Sequence, residues 1–322
     1  MRLYRDLSEL PPDFGPSALS IGNFDGVHFG HRRILRRVRE IAAERAWKAS
    51  VLTFDPHPTR VVAPDRTPPL LMPPEGRAEL MREEGIEQVL ILPFTHRLAR
   101  LTPAEFVEQL LVKTLGAQSV LVGDNFRFGH AQAGNIKVLA ELGRRFGFET
   151  TVVPAVTWRG RVVSSSGIRE SIRAGNVSLA ARFLQRPYGL EGDVVSGRGV
   201  GSRQTVPTLN LATLAEVIPA NGVYITRTRD CAGGRQWNSV TNVGYRPSFG
   251  PSEQLTIETF LLDGLVGPTP GRIRVDFLRR LRDERHFESP DALRRQILAD
   301  VRTAQAFFRR LKSWMGGACT SC

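Results

Sequence analysis

The feature that most constrains this chain is a change of rhythm near residue 185. From residue 15 to about 155, short apolar runs alternate with amphipathic stretches. Residues 18–21, 50–54, 88–92, 119–122 and 150–153 predict strands, and 31–47, 75–85, 103–115 and 135–147 predict helices. Thr102-Pro103-Ala104-Glu105 offers a cap residue, proline at the first helical position and an acid in the first turn. Alternation of this kind predicts a doubly wound parallel sheet with helices on both faces. After Arg186-Pro187-Tyr188 the strands follow one another, at 190–196, 222–229, 237–243, 255–262 and 273–278. Only then comes one long helix, from Ser289 to about Trp314, with Ser289 as cap and Pro290 behind it. That pattern predicts a small antiparallel β-barrel with a C-terminal helix. The expected fold class is therefore α/β plus β, with domains at 1–185 and 186–322.

Composition closes off several classes of function. A length of 322 residues with 41% hydrophobic and 24% charged residues describes two globular domains with cores of ordinary size. No run of 18 apolar residues occurs, and the first residues lack an apolar leader, so the expectation is a cytoplasmic protein with no membrane partner. The net charge of +12 admits polyanions. However, the basic residues are scattered and mostly Arg, with Lys only at Lys48, Lys113, Lys137 and Lys312, and no nucleic-acid motif accompanies them. No nucleic-acid partner is expected. Cys231, Cys319 and Cys322 are too few for a disulfide framework, and the Cys319-Thr-Ser-Cys322 tail lacks the further ligands a zinc site needs.

Chemistry concentrates first where the strand at 18–21 gives way to a helix. Gly22-Asn23-Phe24-Asp25-Gly26-Val27-His28-Phe29-Gly30-His31 places two imidazoles at a helix start, where free N–H groups and the helix dipole favour phosphate. An isolated His-x-x-His is better explained by an exposed loop; the complete spaced pattern is not. Three further blocks lie at the ends of expected elements. Asp55, Pro56, His57 and Pro58 form a stiff turn after one strand, and Asn125 follows another with a donor and an acceptor suited to a ribose or base edge. Ser164, Ser165 and Ser166 open a helix that carries Arg169 one turn on, which suits a triphosphate.

The full set resembles the HxGH nucleotidylyltransferase superfamily, and its Gly-Asn-Phe-Asp-Gly version resembles the bacterial riboflavin kinase/FAD synthetase family. The family carries these four blocks in the same order, with Thr where this chain has one of its serines. The resemblance implies attack by the phosphate of FMN on the α-phosphorus of ATP, giving FAD and pyrophosphate, with Mg²⁺ as metal. It places His28 and His31 at the developing pyrophosphate charge. Gly22, Asn23, Phe24, Asp25, Asn125, Ser164, Ser165, Ser166 and Arg169 then bind nucleotide, and Asp55, Pro56, His57 and Pro58 border the flavin.

The second dense region runs from Gly192 through Gly197, Gly199 and Gly201 to Pro207, Thr208 and Asn210. No Walker A motif occurs anywhere, so phosphoryl transfer here would proceed without a P-loop. The segment resembles the family's riboflavin kinase module. That resemblance implies ATP and phosphate contacts at Gly192, Gly197, Gly201, Pro207, Thr208 and Asn210, Mg²⁺ held by Thr208 and Asn210, and riboflavin and ATP converted to FMN and ADP. The chain departs from the family pattern at Ser202, Arg203, Thr205 and Val206. Asn242-Val-Gly-Tyr-Arg-Pro247-Ser-Phe249 and Ile257-Glu258-Thr259-Phe260 resemble further family blocks; the resemblance implies Glu258 as the candidate general base, with a solvent-facing strand acid as the alternative. Arg282 is a candidate flavin contact, with an exposed ion pair as the equal alternative. The expectation is a bifunctional enzyme. Its alternative is an FAD synthetase whose C-terminal half is a degenerate kinase or a flavin-sensing module.

Overall fold

The computed structural model describes residues 1–195, 208–246, 254–285 and 287–317. Gly197, Gly199, Gly201, Ser202, Arg203, Thr205, Val206, Pro207, Pro247 and Phe249, with Cys319 and Cys322, lie outside the described residues. The chain divides into two compact units, Met1–Ser165 and Ser166–Cys322.

The first unit holds a six-stranded parallel sheet. Its strands are β1 (Arg2–Tyr4), β2 (Ser17–Ile21), β3 (Lys48–Asp55), β4 (Gln88–Pro93), β5 (Ala117–Gly123) and β6 (Glu149–Val153), in the order β1-β4-β3-β2-β5-β6. The connections are α1 (Phe29–Arg45), α2 (Pro58–Val62), α3 (Pro74–Glu83), α4 (His96–Ala99), α5 (Pro103–Glu105) and α6 (Ile136–Phe146). Strand alternation sends side chains to two separate cores. Ala18, Ala49, Val51, Val89 and Ile91 pack with Leu35 and Val38 of α1 and Met81 of α3. Leu19, Leu52, Leu90, Val120 and Val122 face the other way, onto Phe106, Leu110, Leu111 and Leu139. The sheet is thus covered on both faces, as the alternation predicts. A two-residue-per-strand hairpin, β7 (Thr157–Trp158) and β8 (Arg161–Val162), follows the sheet.

The helix expected over 103–115 differs in detail. The Thr102 hydroxyl accepts from Glu105 N at 3.2 Å, and the Glu105 carboxylate accepts from Thr102 N at 2.8 Å, completing a capping box. After α5 the chain widens into a π-helix, Phe106–Thr114. That winding turns Phe106, Val107, Leu110 and Leu111 all into the core.

The second unit opens with α7 (Ser165–Arg173) and α8 (Val177–Leu184). Ser178 Oγ donates to Leu278 O at 3.1 Å, which fastens α8 to the barrel. The barrel itself is closed and antiparallel. Its strands are β9 (Tyr188–Val195), β10 (Thr208–Thr213), β11 (Gly222–Asp230), β12 (Gln236–Arg246), β13 (Gln254–Leu261) and β14 (Arg272–Arg282), ordered β10-β13-β12-β11-β14-β9. Inside, Thr226, Thr228, Ser239, Thr241 and Thr259 are fully buried and satisfy one another through hydroxyl bonds of 2.8–2.9 Å. Outside, Val223, Ile225 and Val240 pack against Ala304 and Phe308 of α9 (Pro290–Gly317). Ser289 Oγ accepts from Ala292 N at 3.2 Å and caps that helix as its sequence predicts.

Candidate functional site

In the first unit β2 has β3 on one side and β5 on the other, so the strand order reverses there. In such sheets ligands bind beyond the carboxyl ends of the strands at that reversal. The segment after β2 carries loop 22–27 and His28, and the segment after β5 carries Asn125, which is exposed. His28 is the N-cap of α1: its Nδ1 accepts from His31 N at 3.4 Å. The His31 ring stacks on His28 at 3.6 Å with 17° between planes, and Phe24 meets His31 edge-on at 5.1 Å. Gly30 makes the stacking possible, because a Cβ there would stand 3.1 Å from His28 Cε1. Burial first, then the adjoining His28 ring and the Arg77 guanidinium hold the His31 imidazole well below its ordinary value. Its Nδ1 is sealed from solvent and has no hydrogen-bond partner among the described residues.

The loop that delivers these rings is tightly determined. Phe24 (φ 49°) and Val27 (φ 38°) adopt left-handed backbone although neither is glycine, and both are buried. Such conformations cost on the order of 1–3 kcal/mol each and persist only when the surroundings enforce them. The enforcing contacts are visible. Gly22 N donates to Leu52 O at 3.1 Å, and Leu71 N donates to both Asp25 carboxylate oxygens at 3.0 and 3.1 Å. Ser165 Oγ donates to Asp25 O at 2.9 Å, which draws the serine block to the same loop. The Asn23 amide and His57 Nε2 are hydrogen-bonded at 2.9 Å, joining loop 22–27 to the turn after β3. In that turn the peptide between Asp55 and Pro56 is cis, and His57 Nδ1 accepts from Thr59 N at 3.3 Å to cap α2.

The geometry therefore brings together Gly22, Asn23, Phe24, Asp25, His28, His31, His57 and Ser165. Asp55, Pro56 and Pro58 border the same turn, and Ser164 precedes Ser165. Ser166 and Arg169 belong to the second compact unit, where Arg169 is buried. A further residue of this site, outside every sequence motif, is Arg77, which is 1% exposed and donates to Asn23 O and toward Phe54 O. No periodic or motif signal distinguishes it from the other arginines of this Arg-rich chain.

In the second unit a cavity of about 710 Å³ lies between the outer face of β11–β13 and the N-terminal part of α9. Thr208, Asn242, Glu258, Phe260, Arg282, Phe287 and Asp300 contribute to its wall. Register explains the grouping: Glu258 stands opposite Asn210 on β10 and opposite Asn242 on β12, so the three share one row on one face. Thr208 lies one step along, opposite Phe260. Hydroxyl, amide and carboxylate oxygens are hard donors, and this set suits Mg²⁺ completed by phosphate and water. Among the described residues no group of three His, Cys, Asp or Glu side chains forms a metal cage. Arg282 is also on the cavity wall, and its guanidinium is engaged: Nε and Nη2 donate to Asp300 Oδ2 at 3.0 and 2.8 Å, with Phe287 stacked at 5.7 Å. Gly192 sits within β9, where a Cβ would come 1.8 Å from Ala212 O; close strand approach accounts for this glycine. Asn242 and Asp300 are wall residues that motif reading did not single out.

Residues 11–167 match the FAD synthetase family and residues 184–308 the riboflavin kinase family. Proteins named bifunctional riboflavin kinase/FMN adenylyltransferase are similar along almost their whole length. The one from Pseudomonas fluorescens is 36% identical over 95% of this chain and 97% of its own. The Escherichia coli K12 relative is 34% identical over 96% and 98%, and the Bacillus subtilis relative 31% identical over 92% and 94%. A crystal structure from Streptococcus pneumoniae titled as a macrolide-efflux protein superposes with a TM-score of 0.83 at 27% identity, covering 94% of this chain and 98% of that one. Among the described residues no helix is long and apolar enough to cross a membrane. With two family matches in series and relatives aligned end to end, the chain belongs to the bifunctional riboflavin kinase/FMN adenylyltransferase family.

Proposed function

We propose that the chain converts riboflavin and ATP to FMN and ADP in its C-terminal domain, and FMN and ATP to FAD and pyrophosphate in its N-terminal domain. The functional domains are 1–185 and 186–322, and the setting is the cytoplasm, where ATP is at hand. The observation that carries the reading is the row Asn210–Glu258–Asn242, whose Glu258 and Asn242 line the cavity, in a chain whose other unit sets His28 and His31 at a sheet reversal.

In adenylyl transfer the FMN phosphate oxygen attacks the α-phosphorus and the bond to the β-phosphate oxygen breaks. The protein supplies no nucleophile; it orients the reactants and stabilises charge. His28, with Nδ1 engaged by the helix N–H, carries its proton on Nε2 when neutral and offers that N–H to the leaving pyrophosphate. Burial, the His28 ring and Arg77 hold the His31 pKa low in the free site, and phosphate charge beside it biases the ring toward its charged form. Gly22, Asn23, Phe24 and Asp25 shape the backbone cradle, Ser164 and Ser165 border the β- and γ-phosphates, and Asn125 meets the nucleoside. Ser166 and Arg169 enter this reading through the sequence motif alone. Asp55, Pro56, His57 and Pro58 border the flavin.

In the kinase reaction Glu258 takes the proton of the ribityl hydroxyl as that oxygen attacks the γ-phosphorus and ADP leaves. Thr208 and Asn210 would hold Mg²⁺, which would supply positive charge to offset that of the ATP phosphates. The apolar part of the cavity, Val223, Val240 and Phe260 with Phe287 and Leu293, suits an isoalloxazine ring, with Arg282 fixed beside it by Asp300. Product analysis tests both halves: purified chain with ATP and Mg²⁺ should yield FAD from riboflavin and from FMN. FAD from FMN alone would leave only the adenylyltransferase.

A further inference from the structure

We propose that Arg77 is a positioning residue of the adenylyltransfer site: its buried guanidinium ties loop 22–27 to the end of β3 and so sets the spacing of the two segments that flank the reactants. This rests on the adenylyltransferase reading above. Among the described residues Arg77 is the largest fully buried side chain, 1% exposed on α3. Its acceptors are backbone and hydroxyl groups of two different segments. Nη1 donates to Asn23 O at 2.5 Å and reaches Thr53 Oγ1 at 3.4 Å, and Nη2 reaches Phe54 O at 3.4 Å. Thr53 Oγ1 in turn donates to Asn23 O at 3.3 Å. Asn23 stands two residues before the carboxylate that anchors Leu71, and Phe54 immediately precedes Asp55 and the turn that holds His57.

A cation in this position is costly unless it does something a hydrocarbon cannot. Methionine would fill similar space without desolvation, and Nε has no hydrogen-bond partner among the described residues. The planar fork answers the question, because one rigid group reaches carbonyls on two segments at once. The surrounding charges are the carboxylates of Asp25, Asp55 and Glu75, which favour the guanidinium, while burial disfavours it. The charge also acts on His31, as the His28 ring does. Among the described residues, every hydrogen bond of the Arg77 guanidinium goes to these two segments, and it acts through them.

The test uses the full chain with Arg77→Met and Arg77→Lys. Amide hydrogen exchange of the substrate-free protein reads the tie directly, at loop 22–27 and at Asp55, His57 and Thr59. In Arg77→Met both segments should exchange at least about tenfold faster while β2 and β5 keep their protection, and Arg77→Lys should restore part of it. Kinetically, Arg77→Met should lower kcat for FMN adenylylation by roughly 100-fold, as misplacement by about 1 Å does, with KM for ATP and FMN changed less than about threefold. Arg77→Lys should recover at least about a tenth of wild-type kcat, with riboflavin phosphorylation by the same chain unchanged. Unaltered exchange in the two segments, or faster exchange spread evenly through β2–β5 with Lys no better than Met, would overturn the proposal. If the wild type makes no FAD, the functional reading falls, and the exchange measurement still decides whether Arg77 makes the tie.

Discussion

The candidate sites of the two halves are built from different parts of the polypeptide. In the first unit the candidate site is mostly backbone: a loop of contiguous residues bent through two left-handed non-glycine positions, delivering one imidazole as the helix cap and a second stacked upon it. In the second unit it is mostly side chains, brought from three strands to one face by register and covered by a helix. A backbone site depends on local conformation and is written as one motif. A register site depends on pairing across the barrel, and its members are dispersed along the chain. The first should therefore fail through small changes of loop geometry, and the second through loss of single functional groups.

The sharpest test of that contrast is separability. Glu258→Gln should lower riboflavin phosphorylation by roughly 10²–10⁴-fold, the usual worth of a positioned base, and leave FAD formation from FMN untouched. His28→Ala should do the reverse, lowering FAD formation by roughly 10²–10³-fold, as loss of one charge-stabilising donor does. Parallel assays of the two products from each variant decide it. Loss of both activities from either change would break the two-site comparison.

The same contrast explains what could be read from the sequence. The sheet strands and their covering helices were legible because each apolar run is bounded by turn residues, and the His28–His31 block because its spacing is local. β1 was not, since Arg2-Leu3-Tyr4 is too short for periodicity and exists by pairing with β4. β10 was read as motif rather than strand; its alternation, Leu209 and Leu211 in and Thr208 and Asn210 out, becomes meaningful only beside β13. Asn242 lies within a motif, but its place beside the candidate base is not legible locally, because standing opposite Glu258 is a fact of register. Arg77 and Asp300 were invisible for another reason: nothing local marks which arginine or aspartate will be buried.

Asp300 supplies the second-largest effect. Its carboxylate accepts from Arg282 and, at 2.9 Å, from Gln296 Nε2, so the α9 wall of the cavity is latched to β14 through one acid. Arg282 and Asp300 are 13% and 9% exposed, so Asp300→Asn leaves a nearly buried guanidinium without its counter-charge. Breaking a buried pair costs about 3–5 kcal/mol. Calorimetry should show the barrel transition shifted down while the transition of the first unit stays in place. Equal shifts of both would mean that the latch serves the whole chain and not this cavity.

Gly30→Ala probes the backbone site with a single methyl. The added Cβ would meet His28 Cε1 at 3.1 Å and Nδ1 at 3.3 Å, so the ring must give way by a few tenths of an ångström. Alanine also favours a helix over glycine by up to about 1 kcal/mol. Activity and stability should consequently move in opposite directions, with FAD formation down roughly tenfold and the melting temperature unchanged or higher. A variant as active as wild type would show that the stacked arrangement of the two imidazoles is incidental.

The smallest effect concerns His31, and its sign follows from proton linkage. Burial, His28 and Arg77 hold its folded pKa well below the ordinary value, so below the unfolded pKa of about 6.5 the unfolded chain binds the proton more readily. Stability conferred by a neutral His31 is present above that pH and is lost as pH falls toward the folded value, by at most about 1.4 kcal/mol per pH unit. Wild type should therefore lose more stability than His31→Asn between about pH 7.5 and about pH 5 in urea unfolding, since asparagine has no proton to gain. A bound polyphosphate should shrink the difference, because phosphate charge offsets the repulsion from His28 and Arg77 and raises the imidazole pKa. Equal pH slopes for the two proteins would mean that His31 titrates as an exposed histidine does. The first unit's site would then lack the poised neutral ring that sets it apart from the carboxylate chemistry of the second.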